Sequence, residues 1–440
     1  MVSLQARKAV LLERKSVIDK IKIERFLVYF VFFFTLVMES LIVSSALSVI
    51  RFINDIAVVT LLVLSVNRFV DTFKRLKCLP ILYGVIAFLT FSILSAIINL
   101  TPINMFFWGA RNTFRGIIFF LSCVCFLDSV DLNKIFKILF YVQLINLASA
   151  LMQYLLLGRV GDAMGGLFGP ANNVALGAFN ALIYTYFFIA YIRGKESFWK
   201  TITMLFSAMI ITAIAEEKFG FIFCGVCLLI TMFVKGDGKR KFYLALSVIS
   251  ALAVGTLVLS VIFPDSIKVL STLEGWLSYS QNTYQEGYMI PRVGGIFYIA
   301  EHFFEGDPLK ILFGFGLGNC DNSQVAIFQS EFYSLYGHYN YRWFSHQWIF
   351  LEGGLVGLLT FLSIFVLGAV CLIKQLKGLS RNSSIFCLTS IILLIYTCIT
   401  VWVGPVIKND FSYILYFAFA VGVISLKPFA LKKKNGGESK

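Results

Sequence analysis

Long apolar runs separated by short polar segments form the main pattern along the chain. A helix that crosses a bilayer needs about 20 mainly apolar residues, because each residue adds 1.5 Å across about 30 Å of hydrocarbon. Shorter runs also serve where neighbouring helices cover them or the bilayer thins. The pattern predicts twelve transmembrane helices, at 26–48, 52–67, 79–99, 105–127, 135–157, 171–192, 201–215, 219–234, 243–263, 345–373, 385–403 and 412–426.

The longest polar stretch, residues 264–344, separates the ninth and tenth predicted helices. We expect it to form a large outer loop, and the periodicity of 293–304 predicts a short amphipathic helix on its surface. The chain is therefore divided into transmembrane helices 1–9 (residues 1–263), this extracytoplasmic loop, transmembrane helices 10–12 (345–426) and a basic cytoplasmic tail (427–440). The predicted fold class is an all-α polytopic membrane protein.

Composition and charge agree with this division. Hydrophobic residues make up 58% of the chain and charged residues only 14%, which excludes a water-soluble enzyme. The 38 Lys and Arg residues exceed the 24 acidic residues, and 28 of the 38 fall in segments on one side of the predicted topology. Basic residues favour the cytoplasmic side of a membrane, so we expect both termini in the cytoplasm of a plasma membrane and no nucleic-acid partner.

The nine cysteines and three histidines point to no cofactor. Eight cysteines fall in or beside apolar runs, and Cys224 and Cys227 form a CxxC motif within a predicted helix without a nearby His, so packing is favoured over zinc or redox chemistry. His302, His338 and His346 lie in or just after the outer loop, without the spacing typical of metal ligands. We therefore predict no metal site.

His346 and Glu352 enter the tenth predicted helix together. Histidine can act as a general base near neutral pH, although a structural role is more common. An ionisable residue within a membrane span is costly and tends to line a polar cavity, which makes Glu352 a functional candidate. The alternative is a carboxylate that packs between helices.

Further charged residues lie near the predicted outer ends of helices. Glu217 and Lys218 belong to the short turn between the seventh and eighth predicted spans, where a solvated, ion-paired tip is the simpler interpretation. Arg111 and Arg115 are four residues apart and so share a helix face, from which they can also extend to lipid headgroups. The sharper hypothesis is that these cations, together with Arg292 and His346, meet in one outward cavity that binds phosphate groups.

Three motifs give the chain a family resemblance. The outer loop contains Arg292 and then Pro-Leu-Lys-Ile-Leu-Phe-Gly-Phe-Gly-Leu-Gly at 308–318, and the next helix opens with Ser-His-Gln-Trp-Ile-Phe-Leu-Glu-Gly-Gly-Leu-Val-Gly at 345–357. An earlier Gly-Leu-Phe-Gly-Pro-Ala-Asn-Asn at 166–173, ending in Asn173, is similar to an outer turn of the same family. The chain resembles the O-antigen polymerase and O-antigen ligase superfamily. Gln347 stands where that family often has Asn, and Lys218 where ligases usually have Arg, while the Glu-Glu-Lys turn is similar to that of capsule polymerases.

The resemblance implies a GT-C-like fold and metal-independent glycosyl transfer at the outer face of the plasma membrane. The donor would be a glycan on undecaprenyl diphosphate, and the acceptor a second lipid-linked repeat unit in a polymerase or the lipid A core in a ligase. A chain-length regulator is an expected partner. On this interpretation Arg292 and Lys218 bind the diphosphate with help from Arg111 or Arg115, and His346 is the base, followed by Glu352 or Glu217. A lipid-linked oligosaccharide transporter is the third alternative.

Overall fold

The structure of the protein, a computed structural model, describes residues 2–42, 49–281 and 290–427. Within these ranges the chain forms eighteen α-helices joined by short turns. In chain order they are α1 (Val2–Leu41), α2 (Arg51–Ser65), α3 (Phe69–Arg75), α4 (Leu79–Ile98), α5 (Ile103–Phe126), α6 (Ser129–Leu157), α7 (Asn173–Ile192), α8 (Phe198–Ile214), α9 (Lys218–Met232), α10 (Gly238–Ile262), α11 (Pro264–Ser271), α12 (Leu273–Gln281), α13 (Gly295–His302), α14 (Pro308–Phe313), α15 (Glu331–Tyr336), α16 (Ser345–Leu376), α17 (Arg381–Val403) and α18 (Ser412–Ile424).

Within the described residues each of the twelve predicted spans overlaps a helix, and residues 43–48 of the first span lie outside them. Seven of the described helical segments are long and apolar enough to cross a membrane, with α2 and α3 counted as one segment over Arg51–Arg75, and α8, α9 and α18 are shorter apolar helices. The chain is thus a helical membrane protein, while the count of twelve spans and the GT-C fold stay predictions. Several helices extend beyond their apolar runs, because charged residues such as Lys and Arg are good helix formers and continue the helix outside the hydrocarbon.

Helix α7 lies at the centre of the bundle. Every residue from Ala175 to Ile192 is buried, and α8, α9 and α17 pack around it. Its one buried amide, Asn180, accepts a hydrogen bond from Gln143 at 3.1 Å and lies 3.3 Å from the hydroxyl of Thr212. These bonds offset the cost of burying a polar group in an apolar core.

Long-range hydrogen bonds define the two ends of the bundle. At the end where residues 264–344 lie, called the loop end below, Ser95 of α4 donates to the carbonyl of Phe313 at 2.5 Å. At the opposite end, Arg25 of α1 pairs with Asp128 before α6 at 2.9 Å. Helix ends that are far apart in sequence therefore meet at each end of the bundle.

The described residues of the outer loop, 264–281 and 290–344, fold as a cap with its own small core. Ile299, Phe304 and Tyr341 of the cap are buried against Phe350 and Leu351 of α16. Helix α13 lies within the segment 293–304, for which an amphipathic helix was predicted. On that helix Ile299 is 0% exposed whereas Phe297 is 79% exposed. Tyr284 and Tyr288 of the outer loop lie outside the described residues.

The glycine-rich segment 313–319 forms a tight backbone turn. Gly314, Gly316 and Gly318 have φ angles of 67°, 97° and 90°, a region that favours glycine because it has no Cβ. The backbone N–H of Gly316 donates to the carbonyl of Glu352 at 3.0 Å, and that of Gly318 donates to its carboxylate at 3.1 Å. The turn is therefore held against the first turns of α16.

Candidate functional site

Arg292, just before α13, lies between two aromatic rings. Its guanidinium carbon is 3.9 Å from the centre of the Tyr279 ring and 4.8 Å from that of Phe344. Its Nε and Nη1 are buried without a hydrogen-bond partner, and among the described residues no carboxylate lies within 4 Å of the guanidinium. Buried charges are normally paired, so an unpaired guanidinium marks a place where an anion fits.

Lys218, the first residue of α9, contacts the same aromatic ring. Its Nζ is 5.4 Å from the centre of the Tyr279 ring and 2.8 Å from Glu216, which also accepts a hydrogen bond from Ser266. Because both cations lie on Tyr279, their charged groups are no more than about 9 Å apart. The structure thus brings together the two leading candidates, which are 74 residues apart in the sequence.

His346 belongs to the first turn of α16, and its ring lies beside Arg292. The side chain is 1% exposed and stacks on Trp402 at 5.4 Å, and its Nδ1 is 3.2 Å from the carbonyl oxygen of Val401. That carbonyl is an acceptor only, so Nδ1 carries the proton of the neutral ring. The lone pair is then on Nε2, which makes no hydrogen bond of ordinary geometry in the described structure, and the backbone of Arg292 is the other polar neighbour of the ring.

These five residues, Tyr279, Arg292, Phe344, Lys218 and His346, are called the clamp site below. It combines two fixed cations with one basic nitrogen. Such a group can hold an anion and remove a proton near it.

Glu217 adjoins the clamp site in sequence but not in its contacts. The side chain packs against Gly177 of α7 and Gly220 of α9, and its buried Oε2 has no hydrogen-bond partner in the described structure. Burial of this carboxyl raises the pKa of Glu217 well above its ordinary value and so disfavours its charged form. The turn is therefore neither a fully solvated tip nor a set of three charges facing one ligand.

Asn173 begins α7, and its amide donates to Asp162 at 2.6 Å. This bond ties the turn before α7 to the start of the helix. Within the described part of the chain, no hydrogen bond joins Asn173 to the clamp site.

Arg111 and Arg115 belong to a different group of charges. They share a face of α5 as predicted, and both lie near Asp55, at 2.6 Å and 3.9 Å. Arg115 also pairs with Asp410 in the turn before α18. Burial opposes the ionisation of Asp410, but Arg115, Arg111 and Arg51 outweigh it and lower the pKa of this carboxyl, which is therefore charged at neutral pH.

This second group surrounds a cavity of about 470 Å³ at the loop end, called the basic cavity below. Five cations line it, whereas Lys218, Arg292 and His346 are absent from its described lining. The predicted single cavity is thus replaced by two basic sites. The lining cations are Arg51, Arg111, Arg115, Arg342 and Lys408.

Helix α16 separates the two sites. His346 contacts α17 through Val401 and Trp402, while Trp348 lines the basic cavity. Two residues along an α-helix correspond to a rotation of about 200°, so these side chains extend from nearly opposite faces. Sequence proximity to His346 therefore does not place a residue in the clamp site.

Glu352 lies on the cavity side of α16 and is buried in an ion pair with Lys408, whose Nζ is also 4.1 Å from the ring of Trp348. The carboxylate accepts from the Gly318 amide at 3.1 Å as well. These contacts match the packing alternative for Glu352, since they hold the glycine-rich turn and Lys408 in place.

Several residues of both sites were not singled out from the sequence. No pattern in the sequence links Tyr279 to Arg292 or Lys218. Arg51, Arg342 and Lys408 carried one signal, because all three belong to the minority of basic residues that the predicted topology places outside. Their grouping depends on tertiary contacts and has no local pattern.

No group of three or more His, Cys, Asp or Glu side chains in the described ranges is arranged to hold a metal ion. Comparison with protein-family models and with curated proteins gives no match to this chain.

Proposed function

We propose that this protein is a glycosyltransferase with a GT-C-like fold of twelve spans, which polymerises saccharide repeat units carried on undecaprenyl diphosphate at the outer face of the plasma membrane. The observation that carries the proposal is the clamp site. Arg292 is held between two rings with no carboxylate partner among the described residues, Lys218 contacts one of these rings, and His346 lies beside Arg292. The family resemblance of the surrounding motifs supplies the substrate class.

The two cations suit a departing diphosphate. When the bond between the anomeric carbon and the phosphate oxygen breaks, negative charge grows on the diphosphate. Fixed cations aimed at that charge stabilise the transition state more than the ground state. Arg292 offers a planar guanidinium with unused donors, and Lys218 offers a point charge held in place by Glu216.

His346 suits the acceptor. The attacking hydroxyl must lose its proton as the new glycosidic bond forms, and a positioned base typically contributes about 10²–10⁴-fold to the rate. Nε2 of His346 takes that proton, while the Val401 carbonyl holds the ring in the required tautomer. A single displacement of this kind inverts the configuration at the anomeric carbon.

The direct test uses purified protein in detergent and lipid-linked repeat units extracted from cells that lack this gene. We expect the wild-type chain to lengthen these units in the absence of an ion gradient, which a transporter cannot do. His346→Ala should abolish lengthening while the protein still inserts in the membrane. Arg240→Ala, which alters an arginine at the opposite end of the bundle, is the matched control and should remain active.

The same cells distinguish polymerase from ligase. A polymerase deletion should leave single repeat units, whereas accumulation of long lipid-linked polymer would favour a ligase. Repeat units that the wild-type protein leaves unchanged in the lengthening assay would contradict the proposal.

A further inference from the structure

The basic cavity has the size and accessibility of a ligand site. Its volume of about 470 Å³ lies within the range of about 300–1,000 Å³ that is typical of small-molecule pockets. Three of its cations are partly open, since the side chains of Arg51, Arg111 and Arg342 are 32%, 22% and 26% exposed. A bound molecule can therefore contact these guanidinium groups.

The charges around the cavity are arranged in two layers. The carboxylates that hold Arg51, Arg111 and Arg342 are less exposed than the arginines, at 12% for Glu39, 14% for Asp55 and 0% for Asp321. Asp410 is the one acidic residue of the described lining. The cavity surface is thus cationic, and the carboxylates behind it fix the direction of each guanidinium.

Aromatic and amide groups complete the wall. Trp108 and Trp348 lie under the guanidinium groups of Arg111 and Arg342 and help to hold them in place. The amide of Asn322 also lines the wall and can donate a hydrogen bond to a hydroxyl group of a saccharide.

We propose that the basic cavity binds a saccharide through an acidic group, a carboxylate or a phosphate, held by Arg111 and Arg342. That the acidic group belongs to a saccharide rests on the proposed function. That the cavity binds an anion rests on the residues of the cavity alone. Because the cavity and the clamp site lie on opposite faces of α16, the ligand group is distinct from the diphosphate bound by Arg292. The cavity would then select substrates whose repeat unit is acidic.

Equilibrium binding to the full chain in phosphatidylcholine nanodiscs tests this proposal, with tryptophan fluorescence as the signal. The probes are an acidic disaccharide, glucuronosyl-glucose, its neutral counterpart cellobiose, and glycerol phosphate as a free lipid headgroup. We expect the acidic disaccharide to bind at least tenfold more tightly than the other two. Arg342→Gln should weaken its binding at least fivefold, while Arg292→Ala and Arg240→Gln should leave it unchanged.

A second measurement does not depend on a charge-removing variant. Gln324, an exposed residue of the lining, is replaced by cysteine and labelled with a maleimide. The acidic disaccharide should slow labelling in proportion to its occupancy, and cellobiose should not.

Equal binding of the acidic and the neutral disaccharide would overturn the proposal. Equal binding of glycerol phosphate would also overturn it and would make a phospholipid headgroup the ligand. Labelling of Gln324→Cys that the acidic disaccharide does not slow would be the third contradicting result. Selective binding together with absent chain lengthening would reject the proposed function and retain the acidic-ligand site.

Discussion

The two basic sites use arginine in different ways. In the basic cavity each cation has a carboxylate partner, as in the contacts of Arg111 with Asp55 at 2.6 Å and of Arg51 with Glu39 at 2.7 Å. In the clamp site Arg292 has aromatic rings on its faces and, among the described residues, no carboxylate within 4 Å. Paired charges are stabilised by their partners, whereas an unpaired buried charge gains most when an anion binds. If the proposed function is right, the first set has structural and selective roles and the second binds the transition state.

We expect the largest effect on the free energy of unfolding when Glu352 is replaced. Glu352→Ala leaves Lys408 buried without its partner, and breaking a buried ion pair costs about 3–5 kcal/mol. Chaotrope-induced unfolding in detergent should show this loss. The double variant Glu352→Gln with Lys408→Met removes both charges and should recover most of the stability. An unfolding free energy equal to that of the wild type in Glu352→Ala would show that the pair contributes nothing.

Arg292 should behave in the opposite manner. Arg292→Ala removes a donor to the departing diphosphate, so we expect a loss of about 10²–10³-fold in turnover. Its stability should change little because no carboxylate among the described residues is left unpaired, whereas Arg115→Ala removes the closest cation of the buried Asp410 and should be clearly less stable. Chain lengthening and unfolding are measured on both variants. An Arg292→Ala protein that is destabilised but still lengthens chains would contradict both expectations for this residue.

Tyr279 tests the contribution of the aromatic clamp. Cation–π contacts contribute about 0.5–2 kcal/mol, so Tyr279→Leu should lower transfer by roughly 2- to 30-fold. Tyr279→Phe keeps the ring and should stay near wild-type activity. The effect should appear in kcat/KM for the lipid-linked donor. Equal losses in both variants would assign the role to the hydroxyl group instead of the ring.

The smallest expected effect is a pH dependence at Asp410. The pKa of Asp410 is lowered in the folded protein, so its charged carboxylate stabilises the fold. This stabilisation is complete above the ordinary pKa of 3.8 and is lost as the pH falls through the lowered pKa. The difference in melting temperature between the wild type and Asp410→Asn should therefore be constant from pH 7 to pH 5. It should shrink only below about pH 4. A difference that shrinks between pH 7 and pH 5 would show that the arginines do not lower this pKa.

Apolar runs predicted the positions of the helices because exclusion from water is decided by local composition. They underestimated helix length, as at α6, which begins at Ser129 instead of near residue 135. The pairing of charges could not be predicted in this way. Arg115 and Asp410 are 295 residues apart, and only the packing of α5 beside α18 brings them together.

The candidate site was predicted only in part, because the grouping of its side chains also depends on tertiary packing. Arg292, His346 and Lys218 were found through their motif context, and the structure groups them. The assignment of Arg111 and Arg115 to the same cavity relied on membrane depth alone. Depth does not tell on which side of α16 a side chain lies.

Binding of geranyl diphosphate, a short lipid diphosphate, tests the central claim most directly. Titration calorimetry on the purified protein should show binding that Arg292→Ala weakens at least tenfold, while Arg342→Gln in the basic cavity leaves it unchanged. Weakening by Arg342→Gln together with unaltered binding to Arg292→Ala would place the diphosphate in the basic cavity and contradict the account.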